Sequence, residues 1–89
     1  MDYYVYIIQS EPFGVYYKGY TSYPQLRVEE HNQGRSRYTS GKGPWQLVYL
    51  EKMADKKAAL IREKQLKRAN INYLQWLFSS ELNIASQFI

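Results

Sequence analysis

The stretch Tyr3–Thr21, YYVYIIQSEPFGVYYKGYT, decides the fold. Tyr3–Gln9 is a run of β-branched and aromatic residues, the composition of a buried strand. Ser10–Gly14 breaks it with turn-forming residues, and Val15–Thr21 is again aromatic-rich. So short a connection makes an antiparallel hairpin the simplest pairing. Ser22 suits an N-cap and Pro24 the first turn of a helix, so a helix is expected to about Asn32, stopped at Gly34.

Residues 33–44 are polar, basic and rich in Gly and Ser, and they end at Pro44, as befits a loop within a domain. Trp45–Leu50, WQLVYL, reads as a third strand. Asp55 can cap a second helix over about 56–69, Asn70 interrupts it, and a short third helix follows over Ile71–Phe78. The fold class is therefore α/β in its α+β form, in the order β-β-α-β-α-α. Eighty-nine residues leave room for one core, so 1–78 should form a single domain. Residues 79–89 show no clear period and form a tail that either docks through Phe88 and Ile89 or frays.

With no cysteine, disulfides and thiolate clusters are excluded, and any metal must be held by oxygen or imidazole ligands. Packing must carry the fold, and ten tyrosines, three phenylalanines and two tryptophans supply the area. No basic segment followed by an apolar run opens the chain, and no apolar stretch approaches the ~20 residues that cross a bilayer, so a cytoplasmic protein without a membrane partner is expected. The net charge of +4 is unevenly spread. Between His31 and Leu50 the formal charges are Arg35, Arg37 and Lys42, and Lys56–Arg68 holds six basic residues against Glu63. That pattern suits a polyanionic partner.

Tyr4-Val5-Tyr6 and Tyr17-Lys18-Gly19 form a pair of short motifs on the two hairpin strands. Downstream come Leu26-Arg27-Val28-Glu29-Glu30-His31-Asn32, then Ser36-Arg37-Tyr38-Thr39, Pro44-Trp45 and the helical run Ala59–Lys67, ALIREKQLK. In this order, over roughly residues 3–69, the chain resembles the GIY-YIG nuclease superfamily, most closely its small stand-alone UPF0213 group. The resemblance implies a small antiparallel three-stranded sheet flanked by helices, with the motif strands adjacent. It also implies phosphodiester hydrolysis with one divalent ion, Mg2+ or Mn2+, held by a glutamate, an arginine near the phosphate, and tyrosines around the attacking water. Carried onto this chain, the catalytic set is Tyr6, Tyr17, Arg27, His31 and Glu63, with Glu63 the metal ligand, and the five should converge on one cleft.

The residues themselves constrain these roles. Glu63 shares a helical face with Ala59, Leu60 and Leu66, all expected to point inward. A buried carboxylate needs a partner, either Arg27 or a lysine in a salt bridge, or a hard cation. Arg27 and His31 lie four apart on one helix face; Arg27 can hold a phosphate or pair with Glu29 or Glu30, and His31 can shuttle a proton or serve as a helix-end residue. A free phenol, with a pKa near ~10, is a poor base, so Tyr6 needs a nearby cation or a proton transfer to His31. Tyr17 positions water or phosphate, and Gly19 either admits substrate or bends the strand. Lys18 departs from the isoleucine usual in the second motif and lies on the face opposite Tyr17. Arg35, Arg37, Tyr38 and Lys42 in the loop, with Lys18, Lys64, Lys67 and Arg68, suit phosphate contact and base stacking, or a solvated surface. The expected function is a metal-dependent DNA endonuclease. The alternatives are a nucleic-acid-binding module of the same fold with little or no cleavage, and a protein-interaction domain using the tyrosine-rich face.

Overall fold

The computed structural model describes residues 1–88. Strand β1 (Tyr3–Ser10) lies at the centre of the sheet, antiparallel to β2 (Tyr16–Thr21) on one side and to β3 (Trp45–Met53) on the other. Its apolar run is explained by that position. Val5 and Ile7 face one core, while Tyr6 and Ile8 face a second on the other side, and all four are buried. Burying an aliphatic side chain of this size contributes about 1.5–3 kcal/mol.

Helices α2 (Lys56–Arg68) and α3 (Ile71–Phe78) cover the first face, bringing Ala59, Leu66, Leu74 and Leu77 onto Val5, Ile7 and Tyr49. Helix α1 (Pro24–Asn32) and the C-terminal segment cover the second, where Tyr6, Ile8, Trp45, Leu47 and Leu50 meet Val28, Ile84, Ala85 and Phe88. The predicted α+β class and element order hold.

Several element ends differ from expectation. The N-cap position of α1 is Tyr23, not Ser22, and no side chain caps it. Pro24 fixes the first turn, so Ser22 sits one residue too early; the Tyr23 amide instead donates to Thr21 Oγ1 at 3.0 Å. Strand β2 starts at Tyr16, leaving Val15 exposed in the turn. Strand β3 runs three residues past Leu50, with Glu51–Met53 paired to Tyr3–Val5, and the Glu51 carboxylate accepts there from the Tyr49 hydroxyl at 2.6 Å and Arg62 Nε at 3.0 Å. Asp55 caps α2 as expected, accepting from the Ala58 amide at 2.8 Å. Asn70 interrupts the helical run by capping the next helix, accepting from the Tyr73 amide at 2.9 Å.

Ile7 pairs with Tyr49 and Ile8 with Leu47, so Val48 is an extra residue in β3. This bulge lets Leu47 and Leu50 face the α1 side while Tyr49 faces α2 and α3. Asn83 fastens it. Its amide nitrogen donates to the carbonyls of Val48 and Phe78, both at 2.9 Å, and its oxygen accepts from the amides of Leu50 at 3.1 Å and Ala85 at 3.0 Å. The tail follows, its Ile84 amide on the Leu50 carbonyl at 2.8 Å and the Phe88 ring edge-on to Tyr4 at 5.6 Å. Phe88 thus docks, whereas Ile89 lies outside the described residues.

Candidate active site

On the α1 side of the sheet, Tyr6 of β1 stands opposite Gly19 of β2. The Tyr6 ring lies across the glycine: a Cβ at position 19 would meet the Tyr6 hydroxyl at 2.6 Å and Cζ at 2.7 Å. Gly19 keeps a strand conformation, unlike Gly14, Gly34 and Gly41 with their positive φ, so room and not backbone freedom is what the site requires of it. Tyr17 lies two residues earlier on the same face, with its ring centroid 6.4 Å from Tyr6.

Helix α1 closes the cluster. His31 is 1% exposed, with its ring 5.0 Å from Tyr17 and 5.7 Å from Tyr6. Its Nε2 is 2.8 Å from the Tyr6 hydroxyl and its Nδ1 is 2.7 Å from Thr39 Oγ1. One turn earlier, Arg27 reaches Glu30 at 3.4 Å and also flanks Tyr6, tying the two groups electrostatically. Burial pushes Tyr6 up to about 12; Arg27 opposes this, while Tyr17 and Glu63 add to it. His31 is pushed down to about 4, first by burial and then by the Arg27 charge, with Glu30 opposing. Both groups are therefore neutral at pH 7, a phenol facing an imidazole.

Glu63 approaches from the other side. Helix α2 packs on the opposite face of the sheet through Ala59 and Leu66. Leu60 does not share that face, being 36% exposed: the contact stripe is narrow and Leu60 lies 100° round the helix from Ala59. Arg62 and Glu63 sit on the two flanks of the stripe. Arg62 turns to Glu51 on β3, while Glu63, on the other flank, acts on Tyr6 through its charge as the weakest of the influences there. Its side chain is 15% exposed and pairs with Lys67 at 3.4 Å, so the salt bridge is to a lysine and not to Arg27. No group of three or more His, Asp or Glu side chains is arranged to hold a metal among the described residues. One carboxylate nevertheless fits a hard cation of the Mg2+ kind, which keeps several waters and takes its remaining ligands from substrate phosphate.

The structure thus gathers Tyr6, Tyr17, Arg27 and His31 on the α1 side of the sheet, whereas Glu63 stands on α2, which packs on the opposite face, and is linked to Tyr6 through its charge alone. Lys18, in register with Ile7, lies on the opposite face from Tyr17. Arg35, Arg37, Tyr38 and Lys42 are exposed on the 33–44 loop, and Lys64 and Arg68 on α2. Lys67 is exposed as well, but its ammonium is shared with Glu63. The sequence reading assigned no role to Thr39, which is 1% exposed, nor to the anchors that hold its loop. The Trp45 indole N–H donates to the Thr39 carbonyl at 3.1 Å, and Asn32 Oδ1 accepts from the Trp45 amide at 2.6 Å. Thr39 closes the run Ser36-Arg37-Tyr38-Thr39 that contributes to the resemblance, but a threonine between Tyr38 and Ser40 in a polar loop carries no periodic signal of its burial or role.

No helix is long and apolar enough to cross a membrane among the described residues. Residues 2–73 match the GIY-YIG catalytic domain. A UPF0213 protein of Clostridium perfringens is 37% identical over 79 residues, covering 88% of this chain and 84% of its own length. A UPF0213 protein of Haloquadratum walsbyi is 43% identical over 65 residues, covering 72% of each chain. The solution NMR structure of the UPF0213 protein BH0048 from Bacillus halodurans superposes with a TM-score of 0.59 at 29% identity, covering 99% of this chain and 94% of that one. The chain belongs to the GIY-YIG family of nuclease domains, within its UPF0213 group.

Proposed function

We propose that this protein is a metal-dependent endonuclease that hydrolyses phosphodiester bonds in DNA. The observation that carries the reading is the buried Tyr6–His31 hydrogen bond with Arg27 beside it. Arg27 binds the scissile phosphate and offsets charge that grows on its oxygens in the transition state. Tyr6 takes a proton from the attacking water as its own hydroxyl proton passes to Nε2 of His31. A phenol that burial keeps protonated has no basic oxygen to offer without that second transfer, and His31, also neutral, presents Nε2 to receive the proton. Tyr17, half-buried beside both rings, orients the water or the phosphate.

Glu63 would hold the divalent ion, Mg2+ or Mn2+, which supplies positive charge to the phosphate and the departing oxygen. Displacing Lys67 from Glu63 costs little, because partly exposed i,i+4 pairs are worth about 0.3–0.5 kcal/mol. Arg35, Arg37, Tyr38 and Lys42 on the loop, with Lys64 and Arg68, contact the substrate backbone and unpaired bases. Lys18 lies on the α2 side of the sheet, away from the loop cations.

The Glu63–Lys67 pair favours a second reading, a binding module in which Glu63 is structural. Glu63→Gln separates the two. It keeps size and packing but removes the charge a hard cation needs, so magnesium-dependent nicking should collapse while DNA binding, measured in calcium, survives or strengthens. Arg27→Ala should also abolish nicking, with no rescue by added metal. Equal residual cleavage in wild type and Glu63→Gln would support the binding module, and an unfolded variant would support the structural role.

A further inference from the structure

We infer that Thr39 is a positioning residue that holds the His31 imidazole in its Nδ1–H tautomer, so that Nε2 faces Tyr6 as a bare acceptor. The inference deepens the nuclease reading, since it concerns the proton transfer proposed there. Both ring nitrogens of His31 are engaged, Nε2 with the Tyr6 hydroxyl at 2.8 Å and Nδ1 with Thr39 Oγ1 at 2.7 Å, and the ring is sealed from solvent. A neutral imidazole carries one N–H, so one of these bonds is donated and the other accepted. Two hydroxyls flank it, and each can serve either way.

The surroundings of Thr39 break the tie. Its hydroxyl lies 3.5 Å from the Ser36 carbonyl, which can only accept. If Oγ1–H donates to that carbonyl, Oγ1 is left to accept from Nδ1–H, and Nε2 must then accept from Tyr6. The direction runs one way along the chain: Tyr6 hydroxyl to His31, His31 to Thr39, Thr39 to Ser36. At the other end, the neighbouring Arg27 cation favours a Tyr6 oxygen turned towards it as acceptor, with the hydroxyl proton aimed at His31. The opposite tautomer would place an Nε2 proton on the Tyr6 oxygen. Tyr6 would then have no base to receive its proton, and one of the lone pairs needed for water would be filled.

The loop backbone keeps its path without the Thr39 side chain's help. The Ser36 carbonyl accepts the Ser40 amide at 3.0 Å, and the Trp45 indole holds the Thr39 carbonyl, both through backbone atoms that a side-chain substitution leaves in place. Thr39→Val therefore removes the hydroxyl from a position whose backbone is independently anchored.

The test is the ring's own nitrogen resonances. Long-range proton–nitrogen correlations on 15N-histidine protein, without DNA or metal, report which nitrogen of the single histidine carries the proton. The expected result is Nδ1–H in wild type, Nε2–H in Thr39→Val, and Nδ1–H again in Thr39→Ser. In parallel, nicking should fall at least tenfold in Thr39→Val with substrate KM little changed, and return in Thr39→Ser. An Nε2–H tautomer in wild type would overturn the inference even if the valine variant failed to fold. So would an unchanged tautomer in a folded Thr39→Val. A wild-type protein that shows the Nδ1–H tautomer and cuts nothing would refute the nuclease reading and leave the role of Thr39 standing.

Discussion

Gly19→Ala tests whether the site is assembled around a missing side chain. The added methyl would sit 2.6 Å from the Tyr6 hydroxyl, 2.7 Å from Cζ and 2.9 Å from Cε1, three contacts shorter than unbonded carbons and oxygens tolerate. Tyr6 is 2% exposed and hemmed in by Tyr17 and His31, so the ring cannot swing clear without dragging the cluster. Overpacking of this kind typically costs about 1–3 kcal/mol. For a domain of this length each kcal/mol lowers Tm by roughly 4–8 °C. Urea denaturation of wild type, Gly19→Ala, Tyr6→Leu and the double variant would measure the coupling. The methyl should cost about 1–3 kcal/mol beside tyrosine and close to nothing beside leucine, giving a coupling energy of similar size. Nicking should be lost in Gly19→Ala, because the Tyr6 hydroxyl is pushed off His31. A neutral Gly19→Ala, or one equally costly in the leucine background, would refute the steric argument.

Two further perturbations probe the supports of the site. His31 lies at about 4 in the folded protein against 6.5 unfolded, so between these values the unfolded chain binds the extra proton; stability is complete above pH 6.5 and is lost as pH falls towards 4, by at most about 3 kcal/mol. The groups facing it are Tyr6, Tyr17, Arg27, Glu30 and Thr39, and urea midpoints between pH 4 and 7 should fall more steeply in wild type than in His31→Gln, with parallel curves counting against the assignment. Asn83→Ala strips partners from the Val48 carbonyl and the Leu50 amide at the bulge, and with about 1–3 kcal/mol for each buried group left unpaired, calorimetry should show Tm lowered by more than ~8 °C. A shift of only a degree or two would mean that the bulge holds without it.

What the chain reveals before folding follows from the range of the forces involved. Tyr3–Gln9 could be read as a buried strand because burial on both faces writes itself into seven adjacent residues. Asp55 could be read as a helix start because a cap bonds three residues away, whereas Asn70 reads only as an interruption until its side chain is seen to cap the next helix. The bulge at Val48 could not, since WQLVYL alternates plausibly either way and the side chain that fixes it lies 35 residues downstream. Leu60 misled because a helix wheel ranks residues by angle and says nothing about how wide a stripe the sheet covers. The tail has no period for a related reason: it is held by single residues, Asn83, Ile84 and Phe88, and not by a repeating face. Within the site, Tyr6, Arg27 and His31 were legible as motif residues, whereas Thr39 depends on how a polar loop folds back onto α1.

The charges around Tyr6 explain why the free protein holds Tyr6 and His31 neutral. Burial raises Tyr6 and lowers His31, and by itself it keeps the proton on the phenol. Two other charges on Tyr6 can change when substrate arrives. Glu63 raises Tyr6, and that contribution vanishes once its charge is neutralised by a cation. Arg27 lowers both groups, so its pairing with phosphate releases His31 upward but also gives up its pull on Tyr6. The two partners are therefore not interchangeable. Phosphate on Arg27 lifts the acceptor and the donor together, whereas neutralising Glu63 lowers the donor alone, since burial, Arg27 and Glu30 are what act on His31; that second effect is small, because Glu63 is the weakest of the influences on Tyr6 and burial the strongest.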